Sequence, residues 1–195
     1  RGLINGVHLQ WYENGQKKLE GNYINGKYDG VWTQWFEDGQ KFIKGKYNED
    51  MLVGLWTQWY KNGNKYSKGI YEKSKQIKSW TFFSPDGKDS SRVFYSNGKP
   101  MDGVKAEWYL NGIKESEIKY VKGKISGKVS YWYDSGNKKR TENYLNNVLN
   151  GVVTHWEKNG KKIKRQNFNN GRLEQEKKYF YYTTGQIDST IELIY

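Results

Sequence analysis

Apolar positions along this chain gather into short aromatic runs separated by polar, glycine-bearing breaks, and helical periodicity is nowhere sustained. Residues 30–53, GVWTQWFEDGQKFIKGKYNEDMLV, show the pattern: an aromatic run, an Asp-Gly pair, then a second run ending in Tyr47. That order predicts a β-hairpin. Asn-Gly or Asp-Gly supplies the positive φ angles of a two-residue type I′ turn. Such pairs begin at Asn14, Asp38, Asn62, Asp86, Asn111 and Asn159, with Ser135 and Thr184 as weaker substitutes.

The pattern returns about every 24 residues. Repeats begin at Gly6, Gly30, Gly54, Lys78, Gly103, Gly127, Gly151 and Glu176, with single insertions near residues 96–102 and 174–175. All 22 glycines fall on four positions of this repeat and all nine tryptophans on two others. A period of this size denotes an array, because one unit cannot bury its own apolar face. The expected fold is therefore all-β: an elongated array of about eight hairpin repeats forming a twisted antiparallel sheet. At ordinary strand spacing each repeat advances roughly 9–10 Å, giving a rod of about 75 Å.

With a two-residue turn, repeat positions that sum to nineteen face each other. Gly6, Gly30, Gly54, Gly103, Gly127 and Gly151 then oppose Tyr23, Tyr47, Tyr71, Tyr120, Tyr144 and Phe168, each ring expected to lie over bare backbone. Trp32 opposes Gly45 and Trp56 opposes Gly69; Lys105, Val129 and Val153 oppose Ile118, Glu142 and Gln166, while Trp80 with Val93 breaks the rule. Positions nineteen to 24 are expected to form a loop tucked under the strands. The repeat at residues 78–102, with Lys78 for Gly, Ser84 for Tyr and Pro85 before its turn, predicts a weak point within one array spanning 1–195.

A mean hydropathy of −1.05 and a net charge of +12 would suit a disordered chain, but 17% aromatic residues held in register supply the missing burial. The absence of cysteine excludes disulfides and thiolate metal sites. No run reaches the ~18 apolar residues of a membrane-spanning helix. The chain starts at Arg1 without Met, and residues 1–5 match the end of a repeat, so the array is expected to begin inside a longer one. The cytoplasm, or export after loss of a signal segment, both fit.

The recurring G-x-W-x-x-W-[YF]-x-[ND]-G-x-K followed by G-x-Y-x-x-G-x-x-x-G resembles the bacterial variant of the MORN repeat, from Gly2 to about Gly185. Proteins of that variant are often described as antitoxins of the YwqK type. The resemblance implies a β-hairpin array used for protein or membrane contacts, with no catalytic residues to carry over.

The residues themselves offer little for catalysis. His8 and His155 sit far apart in sequence at positions three and five, and read as variants of the Trp and Gln columns. No cofactor is indicated, and the glycines serve turns rather than a phosphate loop. Two columns are candidates for binding. The tryptophans of position six, including Trp108, Trp132 and Trp156, project from the face opposite Trp32 and the tyrosines, and are expected to be core. The lysines of position twelve, Lys17, Lys41, Lys65, Lys114, Lys138 and Lys162, form a basic ladder whose stems should cover the position-seven rings. The resulting expectation is a non-catalytic scaffold with a protein partner, as in an antitoxin or immunity role. The alternative is an adaptor docking on anionic membrane or another polyanion. Nucleic acid is disfavoured by the scarcity of arginine, and no small-molecule substrate is expected.

Overall fold

The computed structural model describes residues 2–195; Arg1, read above as part of an incomplete leading repeat, lies outside the described residues. These residues hold no helix and eighteen strands, paired antiparallel. The chain divides into two compact units, residues 1–100 and 101–195, parted within the irregular repeat.

The N-terminal unit is a meander of β1 (Gly6–Trp11), β2 (Lys17–Ile24), β3 (Lys27–Trp35), β4 (Lys41–Asn48), β5 (Met51–Trp59), β6 (Lys65–Glu72), β7 (Lys75–Phe83) and β8 (Ser90–Ser96), each paired with the strand before it. The C-terminal unit continues with β9 (Lys99–Trp108), β10 (Lys114–Val121), β11 (Lys124–Ile125), β12 (Gly127–Trp132), β13 (Lys138–Leu145), β14 (Val148–Leu149), β15 (Gly151–Trp156), β16 (Lys162–Asn169), β17 (Arg172–Tyr181) and β18 (Ile187–Ile194). Short β11 and β14 lead into β12 and β15 past a kink.

The pairing of positions summing to nineteen holds along each long hairpin: Gly30 opposes Tyr47, Trp32 opposes Gly45, and Gly127 opposes Tyr144. It fails next to the turn. Between positions five and six the register slips by one residue, so that Trp35 pairs with Lys41 and Trp132 with Lys138; the hairpin of β7 and β8, with Phe83 opposite Ser90, keeps its register. The turn is not the type I′ expected. Tyr12 N–H donates to the Gln16 carbonyl (2.8 Å) and Gly15 N–H to the Tyr12 carbonyl (3.0 Å), which encloses a three-residue loop. Only Gly15 of that loop is left-handed, at φ +82°. This is a type I turn closed by a glycine bulge. Asn14 Oδ1 accepts from Gln16 N–H (3.0 Å), a side-chain bond that favours the right-handed form at Asn over the left-handed one.

Type I′ geometry appears instead where a loop was expected. Asn25 and Gly26 both have positive φ, as do Asn146 and Asn147 and even Lys73 and Ser74. Each pair closes a two-residue hairpin, with Ile24 opposite Lys27 and Leu145 opposite Val148. Positions 22–24 are thus the first residues of the next strand. One repeat supplies two hairpins, which is why so few residues are left outside strands.

Position one is glycine for a reason other than ring cover. A Cβ at Gly6, Gly30 or Gly54 would meet nothing within 4 Å. The φ of +75° at Gly30 is what excludes other residues. That left-handed step makes a bulge: Asn22 pairs with Asp29 and Glu20 with Thr33, so three residues of β3 oppose Gly21 alone. The bulge lays the Trp32 indole on Gly21, where a Cβ would fall inside the ring. Trp56 covers Gly45 and Trp80 covers Gly69 in the same way. Each tryptophan therefore requires the glycine of the preceding repeat rather than the one opposite it. Trp80 ceases to be an exception, and the loss of glycine at Val93 matches the loss of tryptophan at Lys105.

Trp32, Trp56 and Trp80 are each at most 5% exposed although the unit is a single layer. Their covering is lateral. Tyr47 meets Trp32 and Trp56 edge-on at centroid distances of 6.0 and 5.2 Å, and Tyr71 does the same to Trp56 and Trp80 at 5.9 and 5.0 Å. Indole N–H groups donate to backbone carbonyls, Trp80 to Ile70 at 3.2 Å. At ~25 cal/mol/Å² over roughly 200 Å², each ring contributes on the order of 5 kcal/mol.

Candidate interaction faces

Alternation along the strands separates two faces in the N-terminal unit. The aromatic face carries positions three, five, sixteen and eighteen. It bears two adjoining hollows of about 230 and 270 Å³ that share Ile43, Tyr47, Trp56 and Gln58. Burial raises the pKa of Tyr47 and Tyr71 above the ordinary phenol value, so both rings stay neutral donors well past neutral pH. Tyr23 is raised chiefly by its bond to Tyr28.

The opposite face is basic. Lys41, Lys44 and Lys46 line a hollow of about 390 Å³ with Val31, Leu55 and Trp59. Because Trp35 pairs with Lys41 and Trp59 with Lys65, the turn bulge moves the lysine ladder beside the position-six rings. The expectation that lysine stems cover position seven is thereby corrected: Lys17 sits over Trp35 of the next repeat (5.4 Å), and it is Lys18 that covers Tyr12.

The position-six rings are not a uniform core. Trp108 is buried, at 9% exposure, whereas Trp132 and Trp156 are half-buried and Trp11 is 55% exposed. Around Trp59 this face offers Lys41, Lys44, Thr57, Val31 and Leu55 in place of the tyrosines of the other face. Position-seven tyrosines tie successive turns together instead, Tyr109 donating to the Trp132 carbonyl and Tyr133 to the Trp156 carbonyl (both 2.9 Å).

The six ladder lysines differ in circumstance. Lys41, Lys65 and Lys138 are exposed. Lys17 pairs with Glu20 (2.8 Å) and Lys114 with Glu117 (2.7 Å), while Lys162 lies over Tyr179 (5.4 Å). A second cationic column, absent from the sequence-based candidates, is more regular. Thr33, Lys44, Thr57, Lys68, Thr81 and Arg92 are successive cross-strand partners on the basic face. From β4 to β8 every second strand thus presents a cation, at roughly 9–10 Å intervals, whereas β2 presents Glu20 in the same row. Position four plus position fifteen is nineteen, so this row was open to the same pairing rule.

In the C-terminal unit the corresponding row reads Glu117, Ser130, Thr141, Thr154, Arg165 and Lys177, with no cation file. Its polar interior lies on the other face. Glu142 is 3% exposed, ion-paired with Arg140 and accepting from the Tyr144 hydroxyl (3.3 Å). Buried Glu176 is met by Lys164 (3.6 Å), Lys178 (3.4 Å) and the Gln166 amide (2.7 Å). Between them His155, opposite both Arg140 and Lys164, has its pKa lowered by burial and then by those two cations. His8 lies in the other unit, so the two histidines do not share a site within either unit.

An open β-sheet of glycine-bulged hairpins, with one face of stacked rings and one of cations, defines a repeat scaffold. The family model of the MORN repeat variant matches residues 4–25, 28–49, 52–73 and 125–146. The chain is a MORN-type repeat protein. Each matched segment in the N-terminal unit encloses one long hairpin and stops in the type I′ turn that follows. Comparison with curated proteins found no match.

Proposed function

We propose that this protein is a non-catalytic scaffold whose N-terminal unit holds a protein partner on its aromatic face. The observation that carries this reading is the pair of adjoining hollows, where tyrosine, tryptophan and glutamine side chains combine apolar area with hydrogen-bonding groups. Such surfaces suit protein recognition, in which a few rings dominate the energy. An immunity or antitoxin role, with an acidic toxin as partner, is its specific form. Affinity capture from the native cell tests it: wild-type protein should retain a partner that Ile43→Glu loses and Leu55→Glu, which adds the same charge on the basic face, retains.

The cation row supports a second reading, docking on an anionic membrane through Lys44, Lys68 and Arg92 with exposed Val31 and Leu55 beside them. Co-sedimentation with phosphatidylserine vesicles should then fall with salt and vanish when Lys44 and Lys68 are reversed to Glu. Binding indifferent to both would remove it.

A further inference from the structure

The aromatic face repeats at a distance that selects the conformation of what it can hold. Its two hollows are related by one repeat, two strands apart, a step of roughly 9.4–9.8 Å. A polyproline II helix rises about 9.3 Å per three-residue turn. An α-helix rises about 5.4 Å per turn, and its side chains fall out of step with the hollows. Addition of a β-strand requires a free edge, whereas strands β3 to β6 beneath the hollows are paired on both sides.

We infer that this face binds a proline-rich segment in the polyproline II conformation, one turn of ligand for each repeat, with acidic residues on the positions turned away from the rings. The inference rests on the protein-binding reading above and names the partner's chemistry. Each hollow is lined by tryptophan, tyrosine and aliphatic side chains, the kind of lining that pyrrolidine rings fill. Polyproline II backbone carbonyls have no internal partner and need donors. Gln58 accepts from the Ser67 hydroxyl through its oxygen (3.0 Å), which leaves its NH₂ group to donate, and exposed Gln34 stands one repeat away in the same column. Charge decides the flanks. Neither a carboxylate nor a cation lines either hollow, so the flanks answer to the long-range field of a chain with a net charge of +12. Proline-rich segments bearing lysine or arginine are thereby disfavoured, and acidic ones are drawn in.

The test is a titration of the full chain, followed by tryptophan fluorescence, with a synthetic peptide of about twelve residues built from Pro-Pro-Glu triplets, four ligand turns at three residues each. Its control has every proline replaced by glycine at the same charge. The proline peptide should bind at least about tenfold more tightly than the control, the difference made by a preformed conformation. Removing one triplet at a time should weaken it stepwise. Ile43→Glu should abolish binding while Leu55→Glu and the reversal of Lys44 and Lys68 to Glu leave it largely intact. If Ile43→Glu lowers the melting temperature, Gln58→Ala replaces it, with weakened binding expected. Equal affinity for the glycine peptide, loss through Lys44 and Lys68 alone, or no binding of either peptide overturns the inference. A captured partner that Ile43→Glu still loses, but the proline peptide does not displace, would leave the protein-binding reading standing and end this one. A partner retained by Ile43→Glu ends both.

Discussion

The two units build similar hairpins around different interiors. In the N-terminal unit a left-handed residue, glycine everywhere but at Lys78, sets each bulge, and Trp32, Trp56 and Trp80 lie on the glycine of the preceding repeat, with tyrosines sealing their edges. In the C-terminal unit Val129 and Val153, each 1% exposed, occupy the tryptophan column. Ile118, Glu142 and Gln166 occupy the glycine column, and buried Glu142 and Glu176 are neutralised by Arg140, Lys164 and Lys178. What is shared is the backbone: the bulge glycine, the turn glycine and the type I′ hairpin persist in both. The repeat therefore fixes a chain path, and at least two side-chain solutions fill the space it leaves. One presents rings in register on an open face, which is why the candidate grooves belong to the N-terminal unit.

The largest test of that difference is to transplant one solution. Gly45→Ile would drive a side chain through the Trp56 indole and should destabilise the N-terminal unit by about 4 kcal/mol or more, since a buried ring must leave its site. Adding Trp56→Val recreates the Ile118 and Val129 combination. Urea unfolding should show the double variant recovering about half of that loss, a coupling that independent sites would not give. Additive losses would mean that the two columns do not depend on each other across repeats.

Next in size are the buried charges. Arg140→Ala leaves the Glu142 carboxylate, 4% exposed on its side chain, without its ion pair, and should cost about 3 kcal/mol. Glu142→Gln should cost less, about 1–2 kcal/mol, because Arg140 is 42% exposed and can turn to water. Thermal unfolding of both variants checks the order. Equal losses would place the two groups in equivalent surroundings and weaken the contrast with the uncharged ring core.

Much of this was legible in the sequence because glycine and tryptophan have few alternatives. The columns revealed the repeat, the all-β class and the hairpin register. The turn type was misassigned because Asn-Gly serves two geometries: type I′ when both residues turn left-handed, and a type I turn with a bulge when the asparagine side chain caps the next backbone N–H, as Asn14 does. Conversely, Lys73-Ser74 forms a left-handed pair that composition would not suggest, held by Ser74 N–H donating to the Leu52 carbonyl one repeat earlier (3.0 Å). Contacts between repeats, such as Trp32 on Gly21, depend on the bulge and are invisible to pairing within one hairpin. The cation row follows from the same hairpin register, but in the sequence the more uniform lysines of position twelve mask it.

Lys78 is the one bulge position of the N-terminal unit not occupied by glycine, yet its φ is +59°. A side chain there is held in a conformation costing roughly 1 kcal/mol. Lys78→Gly should therefore stabilise the N-terminal unit by about that amount after the greater flexibility of the unfolded glycine chain is allowed for. Gly54→Lys, the reverse change at an equivalent bulge, should destabilise it by a similar amount. A stability gain in both variants, read from urea midpoints, would separate the bulge from its backbone angle.

The smallest effect expected is on pH dependence and falls in the C-terminal unit. His155 stands opposite Arg140 and Lys164, with Glu176 near it, and burial followed by the two cations lowers its pKa below the ordinary 6.5. The folded chain then favours the neutral imidazole, while the unfolded chain takes up a proton near the ordinary value. The group's contribution is complete above pH 6.5 and is lost as pH falls through the lowered folded value. Residue-resolved hydrogen exchange should show protection in β13, β15 and β16 declining between pH 7.5 and 5.5 more than in β3 to β6. His155→Gln, which cannot titrate, should retain more of its protection over that range. An equal decline in the variant would show that the acid response of these strands does not arise from His155.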